Sequence, residues 1–379
     1  MDPSCVSCPN LACPDKGAVG AGNVCVHSHV ERRYRCRTCR RTFAATANTP
    51  LYRLHHPAAT MTLVLTLLIH GCPIAAIVAA FGLDERTVRA WLHKAGAHAA
   101  LLHDQMVGGV EARQIQADEI RVRVRGGTVW AAIALDVGSR LWLATAVARR
   151  RDGLLIHLLL RRTLVALADR AFLLAVDGFA SYVGAARSLV RMPERTGRQG
   201  RPPLVWPQGF ALAQVVKAGL RRGEGIVRRV VVGTEATVVA ALATSHGGTT
   251  INTAYIERLN ATVRERLAPL VRRRRAPAQG TALVESGLHV LRLAYNWCWA
   301  HESLRLRAIG TGRRWVERTP AMAAGLATRP YDLGEVLRMP AHPVPLTAPA
   351  APRRGRPSGR RRVLPFRAPS SAPPERFAA

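Results

Sequence analysis

Closely spaced cysteines constrain the fold of this chain more than any other feature, and six of the eight lie within the first 39 residues. Cys36 and Cys39 have the spacing at which two thiolates bind one tetrahedral ion. They form the second pair, and the first pair, upstream, is either Cys5 with Cys8 or Cys8 with Cys13, since both spacings are usual for such sites. Further potential ligands lie between the pairs: Cys25, His27 and His29. The pattern predicts a zinc ribbon with a structural four-thiolate Zn²⁺ site, which leaves no position open for chemistry.

Basic residues far outnumber acidic ones. The chain has 55 Lys and Arg against 24 Asp and Glu, a formal net charge of +31. This balance indicates a polyanionic partner, either nucleic acid or an anionic membrane surface. A hydrophobic fraction of 48% excludes disorder throughout the chain. Four arginines beside the second cysteine pair are predicted to contact DNA phosphates: Arg33, Arg35, Arg40 and Arg41.

Neither a secretory signal nor a membrane span is expected. The first ten residues lack a basic region followed by an apolar one, and clustered cysteines in such a chain favour metal binding over disulfides. The uncharged segment 61–82 is interrupted by His70, Gly71 and Pro73, which favours two short core helices over a span. We therefore expect a cytoplasmic, nucleoid-associated protein with no membrane partner.

Three short helices are predicted over residues 60–96, followed by a connector at 97–114. The last two helices have the pattern of a helix-turn-helix with Gly82 at the turn. Five apolar residues are expected to pack the two helices together: Ile77, Phe81, Leu83, Val88 and Trp91. Asp84 is expected to cap the second helix. The alternative is a helical hairpin with no role in reading DNA.

The second helix of this pair is the candidate DNA-reading element. Its exposed face carries Arg86, Thr87 and Arg89. Arginine and threonine on a helix in the major groove can contact base edges or phosphates.

A change in periodicity after residue 114 predicts an α/β region. Strands are expected at 115–125, 128–137 and 140–148, then a helix at 152–168 and a buried strand at 171–176. This order is typical of an α/β fold around one sheet. Further strands and helices are predicted at 210–217, 226–232, 253–268 and 281–300.

Three carboxylates in apolar surroundings are the candidate catalytic group. Asp118 lies in the first predicted strand, Asp177 ends the strand at 171–176, and Glu257 lies early on a helix. Brought together, they would suit two Mg²⁺ ions, which stabilise the attacking and leaving oxygens of a phosphoryl displacement. Glu119 and Asp136 are interpreted as capping or surface carboxylates, since Glu119 faces away from Asp118 and Asp136 precedes a turn.

The helix that carries Glu257 also carries a basic residue on nearly the same face. Arg264 follows Glu257 by seven residues, about two turns. It can therefore hold a DNA phosphate near the metal ions. A buried stripe is predicted on the same helix: Ile256, Leu259, Val263 and Leu267.

A series of motifs resembles the DDE transposases of bacterial insertion sequences, in the group with an N-terminal zinc ribbon and helix-turn-helix. The motifs are CPNLAC, RYRCRTCRRTF, TPLYRL, QADEI, SRLW, VDGFASY, AQVVK, INTAYIERLNATVRERL, YNWCWAHESL and RTPAMAAGL, in this order. The resemblance covers roughly residues 5–335. It implies a multidomain α/β protein in which the ribbon and helix-turn-helix precede an RNase H-like, retroviral-integrase-like catalytic domain.

The resemblance also implies residue roles. Asp118, Asp177 and Glu257 would be the catalytic triad that holds two Mg²⁺ ions, for which Mn²⁺ can substitute. The CPNxxC form of the first pair favours Cys8 and Cys13 over Cys5 as zinc ligands. Two departures from the family pattern are Trp299-Ala300, in place of Arg-Pro before His301, and the arginine run at 272–275.

The implied activity is transposition. The chain would bind the terminal inverted repeats and the target as double-stranded DNA, cut and join strands with Mg²⁺, and form a homo-oligomer on DNA. The rivals are a catalytically silent repressor derived from a transposase, and a nuclease of the ribonuclease H or resolvase type. The expected parts are a zinc ribbon at 1–50, a helix-turn-helix at 51–97, the catalytic domain at 112–310, a helical extension at 311–340 and a disordered basic Pro/Arg-rich tail at 341–379.

Overall fold

The first 50 residues form a small antiparallel sheet. A 3₁₀ turn at Pro3–Cys5 precedes β1 (Val24–Ser28), β2 (Arg33–Cys36) and β3 (Thr42–Ala44), which pair in that order. The computed structural model describes residues 1–195, 197, 199–217, 225–268, 280–308 and 314–342. The predicted arginine run at 272–275 and almost all of the predicted tail at 341–379 lie outside these residues.

Three helices follow: α1 (Ala58–Ile69), α2 (Ile74–Phe81) and α3 (Glu85–Met106). The break between α1 and α2 lies at Gly71, whose positive φ of 82° favours glycine, and at Pro73, which precedes α2. The predicted division into two short helices is therefore confirmed. Within the described part of the chain, no helix combines the length and the apolar character needed to cross a membrane.

The pair α2 and α3 agrees with the predicted packing at all but one position. Ile77, Leu83, Val88 and Trp91 are buried. Phe81 is 36% exposed, so its predicted packing is wrong; α2 is only eight residues long, about two turns, and it buries Ile77 alone. Gly82 ends α2 with a left-handed φ of 62°.

The start of α3 is capped as expected, but its end lies further along the chain. The Asp84 carboxylate accepts a hydrogen bond from the Arg86 N–H at 2.7 Å. Residues 97–106 were predicted as part of a connector and are helical instead. They stay helical because they pack on a later helix, Thr281–Trp297, and the local pattern does not reveal this packing. Gly96 marks that packing, since a Cβ there would lie 2.5 Å from Ser286.

A six-stranded mixed sheet is present, in agreement with the α/β prediction. The remaining elements are β4 (Gln114–Val124), β5 (Gly127–Asp136), β6 (Trp142–Ala148), α4 (Gly153–Ala166), β7 (Leu173–Asp177), α5 (Ser181–Leu189), β8 (Met192–Pro193), β9 (Leu204–Val205), β10 (Ala211–Lys217), β11 (Ile226–Val232), α6 (Glu235–Ser245), α7 (Ala254–Arg266), α8 (Thr281–Trp297), β12 (Leu306–Arg307), β13 (Trp315–Val316), α9 (Pro320–Ala323) and α10 (Leu333–Arg338). The strand order is β11-β10-β7-β4-β5-β6.

Strand directions place two acidic residues side by side. β4 pairs antiparallel with β5 and parallel with β7, and β7 pairs parallel with β10. The β4–β7 ladder runs from Gln114 and Leu173 to Ala117 and Val176. Asp118 and Asp177 are the next residues on the two strands, so the end of this ladder brings their carboxylates to one place.

Candidate functional site

A cavity of about 310 Å³ lies at the end of the β4–β7 ladder, beside the start of α7. Its walls include the three carboxylates Asp118, Asp177 and Glu257. Thr253, Gly178 and apolar residues of β4 and β10 complete the lining. The structure therefore brings together, around one cavity, three acids that are 59 and 80 residues apart in the sequence (177 − 118 and 257 − 177).

Asp118 and Asp177 are held by hydrogen bonds from different elements. The Asp118 Oδ2 accepts from the side-chain amide of Asn260 on α7 at 2.7 Å. Burial raises the pKa of Asp118, and the nearby Asp177 carboxylate raises it further. The Asp177 Oδ1 accepts from the N–H of Phe179 at 2.9 Å. Both acids are half-buried, which keeps an edge of each open to the cavity.

Glu257 is the exposed member of the three. It lies in the first turn of α7, where its Oε1 accepts a hydrogen bond from the Thr253 hydroxyl at 3.1 Å. Carboxylate oxygens of Asp118, Glu119 and Asp177 lie within 4.8 Å of one another, and Glu257 is not part of that closest group. Glu257 thus faces the cavity from the helix side.

Gln116, which the sequence interpretation missed, fixes the start of α7 against β4. Its side chain is fully buried. The Oε1 accepts the N–H groups of Tyr255 and Ile256, both at 3.0 Å, and the Nε2 donates to the Asn252 carbonyl at 2.8 Å. α7 has no side-chain cap at its own N-cap residue. Gln116 lies two residues before Asp118 on β4. It therefore satisfies N–H groups at the start of α7 that the helix itself leaves unpaired. The available signal was a polar side chain two residues before Asp118, on the same face of the strand.

The interpretation of Glu119 as a capping or surface carboxylate is wrong. Its side chain is buried against α5, where it accepts from the Tyr182 hydroxyl at 2.5 Å. Arg151 binds it through Nε at 2.8 Å, and the same guanidinium binds Asp177 at 2.7 Å. The chain can bury Glu119 because Arg151 balances its charge. Asp136 does cap a turn, as expected: it accepts from the N–H and hydroxyl of Ser139 at 2.8 and 2.5 Å.

The acidic group has the chemistry of a divalent cation site. Asp118, Glu119 and Asp177 offer hard oxygen donors, which Mg²⁺ prefers. Opposite oxygens in an octahedral Mg²⁺ shell are roughly 4 Å apart. The carboxylate oxygens of these three groups lie within 4.8 Å of one another, which is a similar spacing. The residues could therefore bind a divalent metal. In this structure, Arg151 binds two of them, Asp177 and Glu119.

A second potential metal site lies in the N-terminal sheet. The Sγ atoms of Cys8 and Cys39 are 3.6 Å apart, and those of Cys13 and Cys36 are 3.9 Å apart. Thiolates around a tetrahedral Zn²⁺ are roughly 3.8 Å apart. All four sulfurs lie within 4.8 Å of one another. The cluster could therefore bind a structural zinc ion.

The local environment makes these four cysteines unequal. Burial raises the pKa of Cys8 to about 12. The N–H of Arg41 lowers the pKa of Cys39 to about 6. Cys5 is exposed, lies outside the cluster and interacts with Asp2. Cys8 and Cys13, and not Cys5, thus lie beside Cys36 and Cys39.

The predicted DNA contacts differ in exposure. Arg35, Arg40 and Arg41 are exposed around the cysteine cluster, whereas Arg33 is half-buried and donates to the Thr42 hydroxyl at 2.7 Å. On α3, the Arg86 side chain is 93% exposed, and its Nε lies 3.5 Å from the Asp84 carboxylate. Thr87 is half-buried, and Arg89 is paired with Glu85. Arg264 is half-buried near the end of α7.

Comparison of the sequence with protein-family models and with curated proteins finds no match. The chemistry of the acidic cavity and of the cysteine cluster therefore carries the functional argument.

Proposed function

We propose that this protein is a DDE-type transposase. It binds the terminal inverted repeats of an insertion sequence and catalyses metal-dependent cleavage and transfer of DNA strands. The observation that carries the proposal is the single cavity lined by Asp118, Asp177 and Glu257. The motifs that resemble the family contain these three acids in the same order along the chain.

An RNase H-like core is part of the proposal. It is supported by a sheet in which three consecutive antiparallel strands, β4, β5 and β6, continue into the parallel strands β7 and β10. Asp118 on the first strand and Asp177 at the end of the fourth then meet at one ladder end, and α7 brings Glu257 to the same cavity.

Divalent ions would supply the chemistry at this cavity. Two Mg²⁺ ions bound there would stabilise the attacking and leaving oxygens of an in-line displacement at phosphorus. The chain's own residues provide ligands and hold them in place. Asn260 orients Asp118, Thr253 restrains Glu257, and Gln116 fixes the helix that carries both Asn260 and Glu257. Arg264, on the same helix, is proposed to hold a DNA phosphate beside the ions.

Recognition of the repeats is assigned to the first 97 residues. In this proposal the cysteine cluster binds zinc and presents Arg35, Arg40 and Arg41 to the phosphate backbone. The pair α2 and α3 acts as a helix-turn-helix, with Arg86 as its most exposed basic side chain. Two repeats must be held together for strand transfer, so the active species is a homo-oligomer on DNA in the nucleoid.

The test combines the protein, Mg²⁺ and labelled DNA that carries the inverted repeats beside the gene. Asp177→Asn and Glu257→Gln should each lower cleavage and joining by at least about 100-fold, the effect of losing several kcal/mol of charge stabilisation. Both variants should still bind the repeats. Glu235→Gln, an exposed acid in the first turn of α6, is the control and should react as the unchanged protein does.

Other results of the same assay would favour one of the two rival functions. Specific repeat binding with no cleavage in Mg²⁺ or Mn²⁺ would indicate a silent repressor. Cleavage without strand joining would indicate a nuclease. Equal activity of Asp177→Asn and the unchanged protein would remove the triad assignment altogether.

A further inference from the structure

A second cavity, of about 480 Å³, borders the other end and the other side of α7. Thr262 and Arg266 line it. Thr262 lies nine residues after Thr253, and Arg266 lies nine residues after Glu257; Thr253 and Glu257 line the acidic cavity. Nine residues are two and a half helical turns, so the two pairs point to opposite sides of the helix. This cavity is therefore separate from the acidic one.

Aromatic rings form much of its wall. The guanidinium of Arg266 lies 5.0 Å from the ring centroid of Trp299, and the His70 ring meets the same indole edge-on at 5.3 Å. The rings of Tyr295 and His301 are 4.5 Å apart at 75°. Burial lowers the pKa of His301 to about 4, so this imidazole is neutral at pH 7. The wall thus combines flat aromatic surfaces with one guanidinium, and Glu317 adds a carboxylate to the lining.

Arg266 has bonding capacity that the protein does not use. Its Nε is buried and has no hydrogen-bond partner. Among the residues that the structure describes, Arg266 forms no ion pair. Arg266 also lines the cavity, so a ligand bound there can contact the part of the side chain that is not enclosed. A ligand that suits these groups is flat and aromatic, is joined to an anion that Arg266 can bind, and carries an N–H group from which Glu317 can accept a hydrogen bond.

We infer that this cavity binds one unpaired nucleobase of a DNA strand, with the adjoining phosphate at Arg266. Bases stack on aromatic rings and on guanidinium planes, and Arg266 over Trp299 offers both. A cavity of this size is within the range of small-molecule sites. A paired base cannot enter, because its faces are covered by its neighbours in the duplex. The inference rests on the proposed DNA partner and assigns a role to Trp299, one of the two departures from the family motif.

The first test compares two DNAs by fluorescence anisotropy: a blunt duplex, and the same duplex with a short single-stranded overhang. The unchanged protein should bind the overhang DNA more tightly. Trp299→Ala should weaken overhang binding by about 5- to 100-fold, the usual effect of losing one base–aromatic stack. Its affinity for the blunt duplex should not change, and Trp299→Phe should keep most of the preference.

Trp315→Ala is the matched control. Trp315 is also a half-buried tryptophan with two arginines near its ring, Arg305 at 4.5 Å and Arg314 at 5.7 Å, but it does not line the cavity. This variant should keep the preference for the overhang. If Trp299→Ala does not fold, Arg266→Ala replaces it, since that side chain is the other stacking plane.

The second test is photocrosslinking with 5-iododeoxyuridine in the overhang. The base should crosslink to the tryptic peptide 293–305, which contains Tyr295, Trp299 and His301. The inference would be overturned if the crosslinks mapped to another peptide, or if Trp299→Ala and Trp315→Ala had equal effects. Neither result would contradict the proposed binding of DNA. Failure of the unchanged protein to bind either DNA would instead overturn the proposed function, and the inference with it.

Discussion

Arg151 is a counterion of the acidic cluster. One guanidinium binds both the buried Glu119 and the half-buried Asp177. A metal ion that takes Oδ2 of Asp177, the atom that Arg151 binds, would compete with this contact. Arg151 and a divalent cation would then be alternative counterions for the same carboxylates.

Arg151→Gln tests that competition. Without metal, the variant should be less stable by roughly 2 kcal/mol, because a buried carboxylate loses a charged hydrogen-bond partner that is itself partly exposed. Adding Mg²⁺ or Mn²⁺ should raise its melting temperature more than that of the unchanged protein, since the ion then replaces the lost charge. Thermal unfolding with EDTA and with metal measures both effects.

The neighbouring exposed Arg150 provides the control. Arg150→Gln should behave as the unchanged protein in both conditions. An Arg151→Gln protein whose melting temperature responds to metal no more than the control does would show that Arg151 is not a counterion competing with the ion.

At the scale of single elements, the N-terminal sheet has very little core of its own. β1, β2 and β3 contribute twelve residues in all, five, four and three in turn. The buried cluster in this region consists of Cys8, Cys13 and Cys36, with Cys39 and Phe43 against it. Such a small module usually needs a bound metal to fold.

Cys36→Ser should therefore remove the zinc and unfold residues 1–50, whereas Cys5→Ser should change neither. Metal content per chain, measured by atomic absorption, and hydrogen exchange of the β1 and β2 amides report the two effects. The sheet should also open in a strong chelator. Retention of one zinc per chain in Cys36→Ser would show that the four-cysteine cluster is not the site.

Elements with strong local patterns were predictable from the sequence. The strand expected at 115–125 is β4, Gln114–Val124, and the one expected at 171–176 is β7, Leu173–Asp177. The stripe Ile256, Leu259 and Val263 is buried as expected. Alternation and helical spacing are local properties, so a single sequence carries them.

Contacts between distant elements were not predictable in this way. The pairing of Glu119 with Arg151, the capping of α7 by Gln116 and the packing of α3 on α8 each join segments that only the tertiary fold brings together. The sequence therefore located the carboxylates of the candidate site but not the residues that hold them.

At the scale of the whole molecule, several histidines are buried as neutral rings. Burial lowers the pKa of each of them: His98, His103, His289 and His301. The Nε2 of His103 donates to the Leu143 carbonyl at 2.8 Å, and Arg292 and Arg162 oppose a positive charge on both His103 and His289.

These histidines should make the protein less stable in mild acid. The unfolded chain takes up protons below the ordinary histidine pKa of 6.5, and the folded chain does not. Their contribution is complete above pH 6.5 and is lost as pH falls towards the lowered folded values. Each buried histidine should cost up to about 1.4 kcal/mol per pH unit in that range.

Urea unfolding at pH 7.5 and 5.5 measures the loss, and His103→Gln should reduce it. The comparison with a variant is needed because buried carboxylates such as Asp118 have raised pKa values and change stability in the opposite direction. An identical loss in His103→Gln and the unchanged protein would show that His103 does not contribute.

The two cavities share α7 as part of their walls. α7 has 13 residues, roughly 20 Å of helix, with the acidic cavity at its start and the aromatic one at its end. A rotation of this helix would reshape both cavities at once. Thermodynamic reciprocity then applies: if an occupant of the aromatic cavity changes the affinity for metal at the carboxylates, metal must change the affinity of that occupant by the same factor. If the proposed function is correct, the helix would thus make reactivity depend on whether a DNA strand is correctly seated.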